Sequence, residues 1–144
     1  MSASHLSGPL YVTNGIVIGT NAAPVAASIT PAASTANVSL VTIQVKDGAG
    51  NNVARVTPLN IYLSDAATGV GLTATTASGA VAAGASGTDL GVLTTKKAIT
   101  SVTDATGKYI LSITDTAKTQ FYVVVNLPTL GVTTVTQVLT ANYG

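Results

Sequence analysis

The chain contains no cysteine, no tryptophan and no glutamate, a single histidine, and only 8% charged residues in 144. Each shortage excludes something. Without cysteine there is no disulfide staple and no thiolate metal site. Without glutamate, and with no two aspartates in D-x-D spacing, nothing sets up the paired carboxylates of a glycosidase. The one histidine, His5, lies in the polar stretch 1–10. A catalytic histidine needs a nucleophile and an orienting group beside it, and no sequence feature brings either to residue 5. The inventory predicts a protein that is not an enzyme, with no cofactor and no bound metal.

Charge is scarce against the roughly 25% usual for a soluble domain. The acids are Asp47, Asp65, Asp89, Asp104 and Asp115, and the bases Lys46, Arg55, Lys96, Lys97, Lys108 and Lys118, for a net charge of +1. No basic patch exists, so no nucleic-acid partner is expected. No apolar run is long enough to cross a bilayer as a helix, and no membrane partner is expected. Residues 1–10 lack the basic and apolar regions of a signal peptide, so assembly in the cytoplasm is the expectation. So little charge protects weakly against self-association. Two readings stand side by side: a surface covered by partners, or a neutral surface kept soluble by threonine and serine hydroxyls.

What is present is strand-forming. Hydrophobic residues make up 47% of the chain but aromatics only 4%; the apolar content is mainly alanine and valine, and threonine and serine fill much of the remainder. β-branched side chains suit a pleated surface and stiffen a helix. From residue 37 onward, short alternating runs are separated by turn clusters such as 47–52 (DGAGNN), 65–69 (DAATG), 103–107 (TDATG) and 115–119 (DTAKT). The alternation places Val41, Ile43 and Val45 on one face of a strand. It does the same for Leu59, Ile61 and Leu63, for Tyr109, Leu111 and Ile113, and for Phe121, Val123, Val125 and Leu127. Further strands are expected at 71–77, 90–94, 98–102 and 132–140, with 78–87 a loop or an edge strand. About seven or eight strands at this rhythm predict an all-β fold, an immunoglobulin-like sandwich over 37–144. A jelly roll or small barrel is the alternative.

Residues 1–36 read differently. They hold no Asp, Lys or Arg. Asn14-Gly15 at the centre of 10–19 favours a hairpin, or one strand with a bulge. The stretch 20–35 is Ala/Ser/Thr/Pro-rich, and Pro24 and Pro31 oppose a helix, so it reads as an extended linker or arm. The arm is the expected anchor. Leu10, Tyr11, Val12, Ile16, Val17 and Ile18 are its candidate partner-docking residues, placed to add a strand to a neighbouring sheet edge or to pack around an oligomer axis.

The stretches 41–53 (VTIQVKDGAGNNV), 103–114 (TDATGKYILSIT) and 121–125 (FYVVV) resemble bacterial and phage Ig-like domains. The block 38–143 is similar to Ig-like structural proteins of tailed-phage heads, and among those to capsid decoration, or cement, proteins. The resemblance covers about three-quarters of the chain. It implies a virion protein on the outer capsid surface that binds the major capsid protein. It also implies a homo-oligomer, with a trimer favoured over a dimer. The alternative is a receptor- or carbohydrate-binding Ig-like module of a tail fibre or adhesin.

Four motifs have plain readings. Residues 69–74 (GVGLTA) fit G-x-G-x-x-A, but the residues after them have no helical period, which excludes a dinucleotide site. Asp47 with Asn51 and Asn52 offers oxygens to a calcium ion, yet Asx-turn chemistry is the simpler expectation. Lys96-Lys97 is expected to blunt an edge strand, with an acidic partner patch as the alternative. The sequon Asn37-Val38-Ser39 is read as coincidental.

Overall fold

The computed structural model describes residues 23–144. They form nine strands: β1 (Ala26–Ala33), β2 (Val38–Lys46), β3 (Pro58–Ser64), β4 (Val81–Ala83), β5 (Thr88–Thr94), β6 (Ala98–Val102), β7 (Lys108–Thr114), β8 (Tyr122–Leu127) and β9 (Val132–Gln137). A 3₁₀ turn at Thr140–Asn142 follows. All pairings are antiparallel, in two sheets ordered β1-β2-β7-β4 and β5-β6-β3-β8-β9. The fold is a β-sandwich. Setting β5 and β6 aside leaves β1-β2-β7-β4 facing β3-β8-β9, which is the strand order of an immunoglobulin constant-type sandwich. The β5–β6 hairpin is inserted between the fourth and fifth strands of that pattern and widens the second sheet.

The core follows from the alternation. Val41, Ile43 and Val45 of β2 are fully buried, and so are Tyr109, Leu111 and Ile113 of β7. Register sets Val41 opposite Leu111 and Ile43 opposite Tyr109. In the facing sheet Ile61 pairs with Val125 and Leu63 with Val123. Phe121 and Leu127 close the same cluster. Every residue expected to point inward from these four strands does so.

The expected arm is partly a strand. Ala26–Ala33 pairs along its whole length with β2, from Ala26 opposite Lys46 to Ala33 opposite Ser39. A boundary at 36/37 therefore falls within the β1–β2 hairpin, and the reading of 20–35 as a linker is corrected over residues 26–33. The prolines that oppose a helix are compatible with an edge strand, where a missing N–H costs no ladder bond if it faces away from the neighbour. Pro31 sits opposite Val41 on that edge. The tight turn is made by Ala36 at φ +57° and Asn37 at φ +63°. Two consecutive positive φ values are the mark of a type I′ connection. The hairpin expected at 10–19 lies outside the described residues.

One smaller expectation changes, and another resolves to one of its alternatives. Residues 71–77 form an irregular loop rather than a strand. Within 78–87, three residues form β4, the short outer edge of the first sheet.

Candidate contact surface

The aspartates come first, because they are the residues best able to carry chemistry. Four of the five are committed to turns or loops, and Asp89 lies in β5. The Asp47 carboxylate accepts from the amides of Ala49 (2.9 Å) and Asn51 (2.8 Å) and from the Asn51 side chain (3.3 Å). This is the Asx-turn arrangement, with backbone donors occupying the oxygens a calcium ion would need. Asp65 accepts from the Thr73 hydroxyl (2.6 Å) and the Ala74 amide (2.8 Å). Asp104 accepts from the hydroxyl (2.6 Å) and amide (2.8 Å) of Thr106 and from the Lys108 amide (3.1 Å). Asp115 accepts from the amides of Ser78 (3.1 Å) and Thr119 (2.8 Å).

Four of these carboxyls are held below the ordinary carboxylate range. The Asn51 amide does this chiefly for Asp47, the Ala74 amide for Asp65 and the Thr106 hydroxyl for Asp104. At Asp115 burial pushes upward most strongly, and the donors of Thr119 and Ser78 together outweigh it. Carboxylates tuned this way are latches that stay ionised. Among the described residues no three metal-type ligands cluster.

Lys96 and Lys97 are latches too. The Lys96 amine donates to the Ser78 carbonyl (2.7 Å), and the Lys97 amine to the carbonyls of Thr73 (2.7 Å) and Ala74 (2.9 Å). Both roles expected for the doublet give way to this one: the lysines tie the β5–β6 turn to the 73–78 loop. The GVGLTA stretch lies in the loop that precedes these anchors, with Gly69 and Gly71 at positive φ and no helix after them. The Tyr62 hydroxyl donates to the Gly69 carbonyl (2.8 Å) and the Ser64 hydroxyl to the Val70 carbonyl (3.2 Å), lacing this loop onto β3. Ser39, the hydroxyl residue of the sequon, is fully buried.

The remaining distinctive surface is apolar. β5 is anchored at its start, where the Asp89 carboxylate accepts from the Ala83 amide (2.8 Å) and from the buried Tyr109 hydroxyl. Burial first, then the bond to Asp89 and its charge, push the Tyr109 hydroxyl far above its ordinary range. Beyond Asp89 the β5–β6 register shifts twice, between Asp89 and Gly91 and again between Val92 and Thr94. These irregularities leave Leu90, Val92 and Leu93 each about two-thirds exposed, at 64, 63 and 64%. The facing edge of the other sheet, β4, has only three residues to cover them. Leu93 and Thr94 also line a groove of about 330 Å³ on the outer side of the second sheet, with Tyr62, Leu72 and Ala98. Val70, in the same laced loop, is 76% exposed.

Apart from the inward-turned Asp89, residues 66–72 and 88–95 carry no charge. Edge strands are commonly protected by lysine, proline or bulges; β5 has the bulges alone. Fully burying a valine or leucine is worth about 1.5–3 kcal/mol. Covering Leu90, Val92, Leu93, Val70 and Leu72 to that extent would stabilise a contact by roughly 5–10 kcal/mol, with the same per-residue figure and discounting for partial exposure. Association itself costs about 4–15 kcal/mol. One such contact is modest, and many made together are not.

The sequence contains a sign of this surface in the uncharged run Leu90-Gly91-Val92-Leu93, but alternation alone does not show that both sides of the strand are bare. The docking residues read from sequence, Leu10, Tyr11, Val12, Ile16, Val17 and Ile18, lie outside the described residues, as does His5. No helix among the described residues is long and apolar enough to cross a membrane. Comparison with protein-family models, with curated proteins and with solved structures gives no match.

Proposed function

We propose that this chain works by contact, as an Ig-like decoration protein that binds the major capsid protein on the outer surface of a tailed-phage head. It is present there in many copies and stabilises the shell. The observation that carries the contact reading is the uncharged apolar strip of β5 and the adjoining loop, exposed on a sandwich whose carboxylates and paired lysines are spent on its own turns. The placement on a phage head is supported by the resemblance of 41–53, 103–114 and 121–125 to Ig-like head proteins. A sugar-binding module would need exposed aromatic faces. Tyr109, Phe121 and Tyr143 are instead buried, and the Tyr62 hydroxyl is bonded to Gly69.

The second docking element is the N-terminal segment with Leu10, Tyr11, Val12, Ile16, Val17 and Ile18. Because β1 belongs to the sandwich, a truncation that tests this segment removes residues 1–22 and leaves 23–144 intact. The reading is tested by immunogold electron microscopy of phage particles from the culture that produces the chain. Gold distributed over the outside of heads is the expected result. Gold on tail tips, or bare heads, overturns it.

A further inference from the structure

No other strand of the described residues lies against the outer edge of β5. We propose that a second copy of this chain pairs there, β5 against β5, antiparallel about a two-fold axis, so that the two five-stranded sheets become one continuous sheet. The proposal rests on the contact reading above and names the partner at the β5 strip.

Three observations point to a copy of the same strand. The other sheet edges are poorer templates: β4 has three residues, β1 carries Pro31 with mostly small side chains, and β9 is threonine-rich and largely half-buried. Second, two-fold pairing sets a strand against itself, so a charge near the axis would meet its own sign, which is unfavourable across a strand pair. Residues 90–95 have no charge, and Asp89 is turned inward to Ala83 and Tyr109. Third, the bare side chains stand on both faces. Val92 is in register with Ile99, which is buried between the sheets, whereas Leu93 lines the outer groove with Leu72. A strand added at this edge is held from both faces; a flat partner would use only one.

The chain's own residues 10–18 are also uncharged and strand-forming, and they are the competing occupant that the linkage test below separates from a second β5. Two-fold pairing closes as a dimer, in contrast to the trimer that the family resemblance implies.

The absence of cysteine makes a direct test clean. Single cysteines are placed in the full chain at positions 90, 91, 92 and 93, with Thr134→Cys on β9 as control, and oxidised with copper phenanthroline. In a two-fold antiparallel pair the residue nearest the axis faces its own copy. A disulfide-linked dimer is therefore expected at one or two adjacent positions, in at least tenfold greater yield than the control. Val92→Lys with Leu93→Lys is expected to weaken self-association at least tenfold in sedimentation equilibrium, with the circular-dichroism melt retained. Linkage no greater than the control, or association of the double-lysine variant equal to that of the parent, overturns the proposal. So does preferential linkage of a β5 cysteine to Ile16→Cys of another copy, which would make the N-terminal segment the occupant. The functional reading fails by a different result, bare heads in electron microscopy.

Discussion

Replacing Tyr109 by phenylalanine removes one oxygen from the middle of the sandwich and leaves its packing intact. Tyr109 is fully buried, and its hydroxyl donates to the Asp89 carboxylate. The phenylalanine ring would keep the apolar contacts, but Asp89 would retain only the Ala83 amide (2.8 Å). A hydrogen bond to a charged group is worth about 1.5–3 kcal/mol, so a loss of about 2 kcal/mol is expected. For a domain of this size that lowers Tm by roughly 4–8 °C, at about 2–4 °C per kcal/mol. Urea unfolding of Tyr109→Phe, Asp89→Asn and the double variant forms a cycle. Coupling of about 1–2 kcal/mol is expected, within the range for residues that share a bond. Because Asp89 fixes the start of β5, Tyr109→Phe should also speed amide exchange at residues 89–94 more than at β2. A change within about 0.5 kcal/mol, which is typical of an uninvolved surface site, would refute the role given to this pair.

Other perturbations have signs set by the same structure. Ala36→Gly should stabilise the chain by about 0.5–1 kcal/mol in urea titration. The left-handed conformation of Ala36 costs about 1–2 kcal/mol, and glycine's greater unfolded-state entropy returns about 0.4–1 kcal/mol of that; the φ of +57° makes the relief available. Gly107→Ala should destabilise by more than 2 kcal/mol or prevent folding, since its added Cβ would lie 1.8 Å from the Val53 carbonyl oxygen at a φ of +74°. In acid, stability should hold from neutral pH down to the unfolded aspartate value near 4 and fall below it. The folded pKa values of Asp47, Asp65, Asp104 and Asp115 are depressed, so their contribution is lost as pH drops through them. A melt whose midpoint is the same at pH 3 and pH 6 would contradict that assignment.

The strands that can be read from sequence are those whose two faces differ in chemistry. Val41, Ile43 and Val45 alternate with Thr42, Gln44 and Lys46, and their burial follows that alternation. β1 is hidden because its side chains are small on both faces, so Ala26–Ala33 has no visible period, and its prolines resemble those of a linker. Its turn is hidden as well, since Ala36-Asn37 takes the type I′ geometry without the usual glycine. Residues 71–77 have strand-forming composition, yet Thr73 is bound to Asp65 and its carbonyl to Lys97, and these side-chain bonds hold the backbone out of a ladder. The Lys96-Lys97 clamp depends on where the 73–78 loop comes to rest, which no local pattern encodes. At the contact surface, the charge-free run of residues 90–95 is visible in the sequence. The exposure of both its faces is not, because it follows from two register shifts and from the shortness of β4.

The chain is proposed to act through uncharged contact surfaces in many copies. The most direct measurement of the proposed role is co-sedimentation of the full-length chain with purified tailed-phage capsids, stripped of any decoration protein, from the culture that produces the chain. The parent is compared with the Val92→Lys, Leu93→Lys double variant at matched thermal stability. The parent should bind saturably, and the double variant at least tenfold more weakly, since two charges replace side chains that are 63 and 64% exposed on the edge where copies pair, and an unpaired copy loses the avidity of a two-point attachment. Equal binding by both proteins, or no binding by the parent, would contradict the account.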